Sequence, residues 1–339
     1  MQHGVGFGVV GLDHWYSALP FVDAFKAATR STLVAVADGG HPRARPIAAA
    51  AGAELIADHR PLLDRADVQV IACFASTDRN AAVCREAAAA GKHVVSVKPM
   101  AMTLREADAV VEAVRRAGVC YLSTESTRRL SRLLGQIRAW IDGGRIGRPL
   151  HLLLTGRAGL PVAWPDSSAR GWWTDPARAP GGAWLDHAIY SVDAARWLLG
   201  AEVASVTGAT ARVKYPDLGL EDYGVGSLRM TAGQMVAIED TWTLPEAGLQ
   251  YVYQIVGTDG ILSADMTSGR VRFWGRGGAP GESVAVQSPR AQPNLPDYVA
   301  ACVREQRPPI STPRDARANL GACLAFYEAA ATGRATPPA

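Results

Sequence analysis

Lysine is nearly absent from this chain: Lys26, Lys92, Lys98 and Lys214 are the only lysines among 35 basic residues. Long apolar runs are absent too. No stretch of about eighteen such residues occurs, and the N-terminal segment lacks a basic start followed by a signal-type apolar core. That excludes a spanning helix and argues against secretion. Excess charge of one sign is also missing, since a net charge of +3 is spread over 339 residues and gives no case for nucleic acid or an anionic membrane as partner. The five cysteines, Cys73, Cys84, Cys120, Cys302 and Cys323, are odd in number and form no CxxC pair. Reduced thiols in a cytoplasm fit that pattern better than disulfides or zinc. Aromatic residues are sparse at 7%, yet four of the nine tryptophans crowd between Trp164 and Trp184.

What is present is an ordinary globular composition, 48% apolar and 20% charged, over a length suited to two domains. Apolar runs at 5–10, 33–38, 68–74, 93–97 and 119–123 alternate with helical patterns to about Ala51, from Asp78 to Ala90 and from Thr103 to Arg116. Continuously apolar strands separated by helices predict a parallel sheet covered on both faces. The expectation is a doubly wound Rossmann-type domain over 1–124, followed by a second α/β domain over 125–339. In that second part a helix is expected from Arg128 to Asp142, then a strand at 149–158, a loop at 159–180 and a helix from Gly182 to Leu199. Strand-like runs at 203–214, 222–230, 234–243, 250–257, 261–265 and 270–274 follow with turns short enough to imply antiparallel pairing. Helices near 294–305 and 313–333 close the chain.

The first strand ends in a turn where α/β folds bind the pyrophosphate of a dinucleotide on helix N-terminal amides. The fingerprint GxGxxG reads here as Gly11-Leu12-Asp13-His14-Trp15-Tyr16, with one glycine retained. Asp13 stands where phosphate should approach, so it must be turned away or paired, and His14 is the adjacent candidate. Asp38, before Gly39-Gly40, ends the second strand where an acid would accept hydrogen bonds from an adenosine ribose. That favours NAD over NADP, although Arg43 and Arg45 would suit a 2′-phosphate.

Three later segments carry a family resemblance. GKHVVSVKPM at 91–100, IDGGRIGRPL at 141–150 and GWWTDPARAPGGAWLDHAIYSVDAARWLLG at 171–200 resemble, in order and spacing, conserved stretches of the Gfo/Idh/MocA oxidoreductases, which include glucose-fructose oxidoreductase and inositol dehydrogenase. The resemblance implies an N-terminal dinucleotide-binding fold and a C-terminal α/β domain with a large, open, mostly antiparallel sheet. It implies hydride transfer between NAD or NADP and a hydroxyl of a sugar, inositol or similar polyol, in a homodimer or homotetramer built through the open sheet.

Residue by residue, Lys98 matches the family's catalytic lysine and is followed by Pro99, with Val97 replacing the usual glutamate. An ammonium at the carboxyl edge of the sheet can stabilise alkoxide character on a reacting oxygen. Asp186 matches the family aspartate, while Tyr190 falls at the position of the family's histidine; Asp193 continues that face. Proton transfer then passes to Tyr190, or to His187, which a regular helix rotates roughly 100° away from Asp186. Gly181-Gly182 would let the helix N-terminus approach a ligand closely. Ala75, Ser76 and Asn80 lie in the loop that borders the nicotinamide, where the family's TPxxxH is altered. Arg128 matches the arginine of the family's NxRF segment, with Ser126 in place of its asparagine. Trp172, Trp173 and Trp184 would wall a substrate pocket suited to a flat, non-anionic group. Two other readings share this scaffold: an enzyme that uses NAD transiently or not at all, and a non-catalytic binding subunit.

Overall fold

The computed structural model describes residues 4–38, 40–245, 248–275 and 281–339; Gly39 lies outside them. The chain divides into two compact units, one comprising residues 1–127, 177–179 and 293–317, the other 128–176, 180–292 and 318–339.

The first unit opens with β1 (Val5–Val10), α1 (Trp15–Asp23), β2 (Ser31–Ala37), α2 (Ala44–Ala50), β3 (Glu54–Ile56) and α3 (Arg60–Leu63). It continues with β4 (Val70–Cys73), α4 (Thr77–Ala89), β5 (His93–Ser96), α5 (Leu104–Ala117) and β6 (Tyr121–Ser123). All six strands are parallel in the order β3-β2-β1-β4-β5-β6, the doubly wound arrangement whose order reverses between β1 and β4. Both β1 and β4 are buried along their whole length, as strands sandwiched between helix layers must be. Helix α5 shows how the local sequence sets its limits. Thr103 and Glu106 form a reciprocal capping box at its start, and Gly118 ends it in the left-handed conformation at φ 65°.

The second unit follows with a 3-10 segment Glu125–Leu130 that begins in the first unit, then α6 (Arg132–Asp142), β7 (Pro149–Ala158) and a loop with a 3-10 turn at Trp172–Thr174. A π-helical turn, Trp184–Ala188, leads into α7 (Ile189–Leu199). Strands β8 (Val203–Ala211), β9 (Tyr223–Met230), β10 (Met235–Thr241), β11 (Leu249–Gly257), β12 (Gly260–Asp265), β13 (Arg270–Gly275) and β14 (Glu282–Ala285) complete its sheet. Helices α8 (Leu295–Arg304) and α9 (Pro313–Thr332) end the chain. Helix α8 belongs to the first unit, where Asp297 accepts hydrogen bonds from the Thr29 and Arg30 amides at the foot of β2.

The eight-stranded sheet runs β14-β13-β12-β11-β7-β10-β9-β8. Every adjacent pair is antiparallel except β7 and β10, so the mostly antiparallel architecture holds. One expectation is corrected: β10 and β11 do not form a hairpin, because β7 lies between them. One face of the sheet is buried under the helices through Leu152, Leu154, Ile238, Tyr253 and their row-mates. The opposite face exposes Leu153, Val225, Met235 and Ile261.

Candidate active site

In the first unit, Gly11 makes the turn after β1 at φ +77°, and a Cβ there would fall 2.7 Å from the Ala75 backbone. No other residue fits both demands. The Leu12 amide donates to Asp38 Oδ2 at 2.9 Å, so the acid at the end of β2 braces the turn from below. Burial, with the neighbouring Asp13 charge behind it, raises the Asp38 carboxyl above its ordinary value. Asp13 is paired, as a pyrophosphate site requires, but through partners other than the one expected. Ser76 N donates to its Oδ2 at 3.0 Å, Arg178 Nη2 to its Oδ1 at 3.2 Å, and Arg79 lies 3.8 Å away. His14 is fully buried and turns Nδ1 to the Ala75 carbonyl oxygen at 2.9 Å instead. Arg178 lies within the 171–200 segment, but nothing local in that irregular loop ties it to Asp13, 165 residues away in the chain.

Lys98 is 1% exposed at the carboxyl end of β5, its Nζ 5.7 Å from the centroid of the Tyr16 ring. Its turn is fixed from beneath. Asn80 is fully buried and spends its amide on Ser96 Oγ and the carbonyls of Val97 and Met100, at 2.9, 3.1 and 3.2 Å. Asn80 is therefore a strut for the lysine turn rather than an open contact for a ligand, and it supplies positioning that Val97 cannot. Nearby, the hydroxyls of Ser76 and Thr77 are buried without hydrogen-bond partners among the described residues. A glycine turn, a neutralised acid, a carboxylate at the end of β2 and two unpaired hydroxyls along the carboxyl edge of the sheet fit a dinucleotide.

In the second unit the two glycines before the helix serve packing, a correction to their expected role. A Cβ on Gly181 would fall 2.2 Å from the Tyr327 hydroxyl, and one on Gly182 would fall 2.2 Å from the Glu221 carbonyl oxygen. The Glu221 carboxylate accepts from the amides of Gly182 and Trp184, each at 3.1 Å, and caps the helix start. Trp184 is fully buried and stacked on Phe326 with centroids 3.6 Å apart, so it is core and not a pocket wall. Trp172 and Trp173 stack on each other at 4.6 Å, Trp173 buried and Trp172 half-buried. Asp193 is taken up by a buried ion pair with Arg129 at 2.5 Å and by Asn319.

The π-helical turn changes which side chains meet. Asp186 Oδ2 accepts from Trp242 Nε1 at 3.0 Å, and His187 Nε2 lies 3.5 Å from the same oxygen. The expected divergence of Asp186 and His187 is therefore corrected, because the wider turn carries both to the sheet. On the other side, His187 Nδ1 lies 3.5 Å from Oδ1 of Asp240, a fully buried residue of β10 that sequence reading overlooked. Burial pushes the Asp240 carboxyl up to about 7, with the Asp186 charge raising it and His187 opposing. Tyr190 is buried with its ring against the Arg128 guanidinium at 3.6 Å, and Tyr251 lies against the same guanidinium at 4.1 Å. The arrangement offers an imidazole between two carboxylates, beside a stacked cation.

Fold and site together define an oxidoreductase with a dinucleotide-binding domain. The sequence of 5–125 matches the model of the oxidoreductase family with an NAD-binding Rossmann fold, and 134–263 matches the GFO/IDH/MocA C-terminal domain. The chain belongs to the GFO/IDH/MocA family of oxidoreductases. It is 31% identical to 1,5-anhydro-D-fructose reductase of Ensifer adhaerens over 252 residues, 73% of this chain and 72% of that protein. It is 27% identical to the NAD(+)-dependent scyllo-inositol 2-dehydrogenase of Bacillus subtilis over 336 residues, 94% and 92% of the two chains. A levoglucosan dehydrogenase solved with NADH and L-sorbose shares the fold along 100% of both chains, with TM-score 0.87 at 18% identity.

Proposed function

We propose that the protein transfers a hydride between a nicotinamide dinucleotide, NAD in preference to NADP, and a hydroxyl carbon of a neutral sugar or cyclic polyol. The observation that carries this reading is the buried Lys98 at the carboxyl edge of a Rossmann sheet, in a chain that uses arginine almost everywhere else. The relatives act, by name, on anhydrofructose and inositol, which supports the substrate class.

The first unit would hold the dinucleotide through the Gly11–Trp15 turn, Asp38 on the adenosine ribose and the loop from Ala75 to Thr77. When bound, the nicotinamide supplies the hydride acceptor or donor. Lys98 hydrogen-bonds the reacting oxygen and stabilises the negative charge that develops there. In the second unit, Asp186, pinned by Trp242, orients the substrate hydroxyl, and His187 takes its proton. Arg128, stacked between Tyr190 and Tyr251, offers a fixed guanidinium to a further hydroxyl. Tyr190 serves as a face for Arg128 and not as the base. The exposed apolar row of the large sheet supports a homodimer or homotetramer through that face. A cytoplasmic setting fits five cysteines that form no disulfide.

The test is titration of pure protein with NAD(H) and NADP(H), following tryptophan and nicotinamide fluorescence, then turnover across a panel of anhydro sugars and inositols. Micromolar NADH binding with turnover of a panel member supports the reading. Binding of neither dinucleotide overturns it.

A further inference from the structure

We propose that Asp240 and His187 form a buried carboxylate–imidazole pair in which Asp240, as a positioning residue, makes His187 the proton acceptor of the reaction. This rests on the hydride-transfer reading above and assigns a residue to it.

Asp240 occupies an unusual place for an acid. It lies near the carboxyl end of β10, an interior strand, on the face buried under the helices, and none of its side chain is exposed. Its register partners on both flanking strands are glycines, Gly156 on β7 and Gly224 on β9. A Cβ on Gly156 would fall 2.3 Å from Asp240 Oδ2, so the glycine makes the slot in which the carboxyl stands. Neither carboxyl oxygen has a hydrogen-bond partner of normal geometry among the described residues, and neither does His187 Nδ1. The two unsatisfied groups face each other at 3.5 Å. An acid buried without a partner is costly, so a slot kept open for one points to a use. Catalytic hydrogen bonds are often this long without ligand and tighten when the site fills.

The surroundings fix the direction of proton flow. Facing the pair are Asp186 from the π-helical turn and the Tyr251 ring of β11, edge-on to the imidazole at 6.1 Å, with the Arg128 guanidinium beyond it. The Nδ1 side of His187 is sealed, while the side chain as a whole keeps 16% exposure. Asp240 accepts the Nδ1–H and leaves the Nε2 lone pair for the substrate hydroxyl. In the oxidative direction the substrate C–H bond breaks and its hydride passes to the oxidised nicotinamide. The O–H bond breaks and its proton passes to Nε2, and the carbonyl forms. The imidazolium is then stabilised by Asp240, and the reductive direction is the reverse. Burial pushes the Asp240 carboxyl up to about 7, so it accepts the Nδ1–H as a carboxylate above about that pH. The family's i+4 histidine position is filled by Tyr190, and the π-helical turn is what allows a histidine three residues earlier to reach the sheet.

The test uses the full-length protein with histidine imidazoles labelled in 15N, the His187 signal being assigned by its loss in His187→Asn. We expect wild-type His187 in the Nδ1–H tautomer, and Asp240→Asn to abolish that preference. In Asp240→Asn, kcat should fall by about 10²-fold or more with KM changed less than about threefold, and the acid limb of the kcat profile should move to lower pH. The double variant should be no slower than His187→Asn alone. A wild-type Nε2–H tautomer, or an Asp240→Asn enzyme with an unchanged pH profile, overturns the pair. The wild-type spectrum decides the matter even if Asp240→Asn does not fold. It needs neither cofactor nor substrate, so a protein with the locked tautomer that turns over no polyol would sink the hydride-transfer reading separately.

Discussion

Arg178 Nη2 donates to Oδ1 of Asp13 at 3.2 Å, and this pairing neutralises an acid that stands at a glycine position of the GxGxxG fingerprint. Arg178 also approaches Asp78 at 3.6 Å, so one guanidinium bridges the turn after β1 and the first turn of α4. Without it the Asp13 carboxylate keeps only the Ser76 amide at 3.0 Å and Arg79 at 3.8 Å. Arg178→Ala should therefore weaken NADH binding roughly tenfold, and Asp13→Asn in that background should recover most of the loss. Nicotinamide fluorescence titration of the four proteins measures the cycle. Equal affinities for all four would show that Asp13 is not near the phosphates.

Lys98→Ala should lower kcat by about 10²–10³-fold and leave the NADH dissociation constant within about threefold, because the ammonium acts on the reacting oxygen. Asn80→Ala should lower kcat less, through disorder of the turn it pins. Steady-state kinetics beside equilibrium titration separates the two effects. A kcat for Lys98→Ala within tenfold of wild type would remove the lysine from the chemistry.

Tyr190→Phe should turn over within about threefold of wild type, since the ring that covers Arg128 is retained and only the phenol is lost. His187→Asn should cost about 10²-fold or more in kcat. The opposite ranking would return proton transfer to the tyrosine.

The depth of Asp240 has a consequence for stability. Its folded-state value of about 7 stands above the ordinary carboxyl value of 3.8, so between these pH values the native state holds a proton that the unfolded chain has released. This contribution is complete below the unfolded value and is lost as pH rises through the folded one. Relative to Asp240→Asn, the wild type should lose on the order of 3 kcal/mol between about pH 5 and about pH 8. Urea unfolding of both proteins at the two pH values measures the difference, and parallel pH dependences would contradict it.

Much of the fold was legible because the apolar runs of the first unit are continuous and well separated; β1, for example, occupies the expected 5–10. Strands β3 and β14 were not legible, being three and four residues long at sheet edges. The active-site helix was read with regular α-helical geometry, which cannot anticipate a π-helical turn, so His187 was placed away from Asp186. Asp240 carries no local signal. Its meaning comes from glycines on two neighbouring strands, which only the sheet register brings beside it. Trp184 failed as a pocket wall for a related reason, since what a tryptophan faces is decided by a distant partner, here Phe326.

Asp38 offers a further check on cofactor choice. Its Oδ2 accepts from the Leu12 amide, and a carboxylate at that place repels a 2′-phosphate. Asp38→Ser should shift the ratio of NAD to NADP affinities toward NADP by roughly tenfold, read by the same fluorescence titration. An unchanged ratio would place the ribose elsewhere.

The most direct measurement of hydride transfer is incubation of the protein with NAD(+) and inositols or anhydro sugars deuterated at the hydroxyl-bearing carbons, followed by mass analysis of the nicotinamide. Hydride transfer predicts deuterium at C4 of the NADH formed, with its appearance abolished in Lys98→Ala. Tight NAD binding with no deuterium in the nicotinamide across the panel would contradict it.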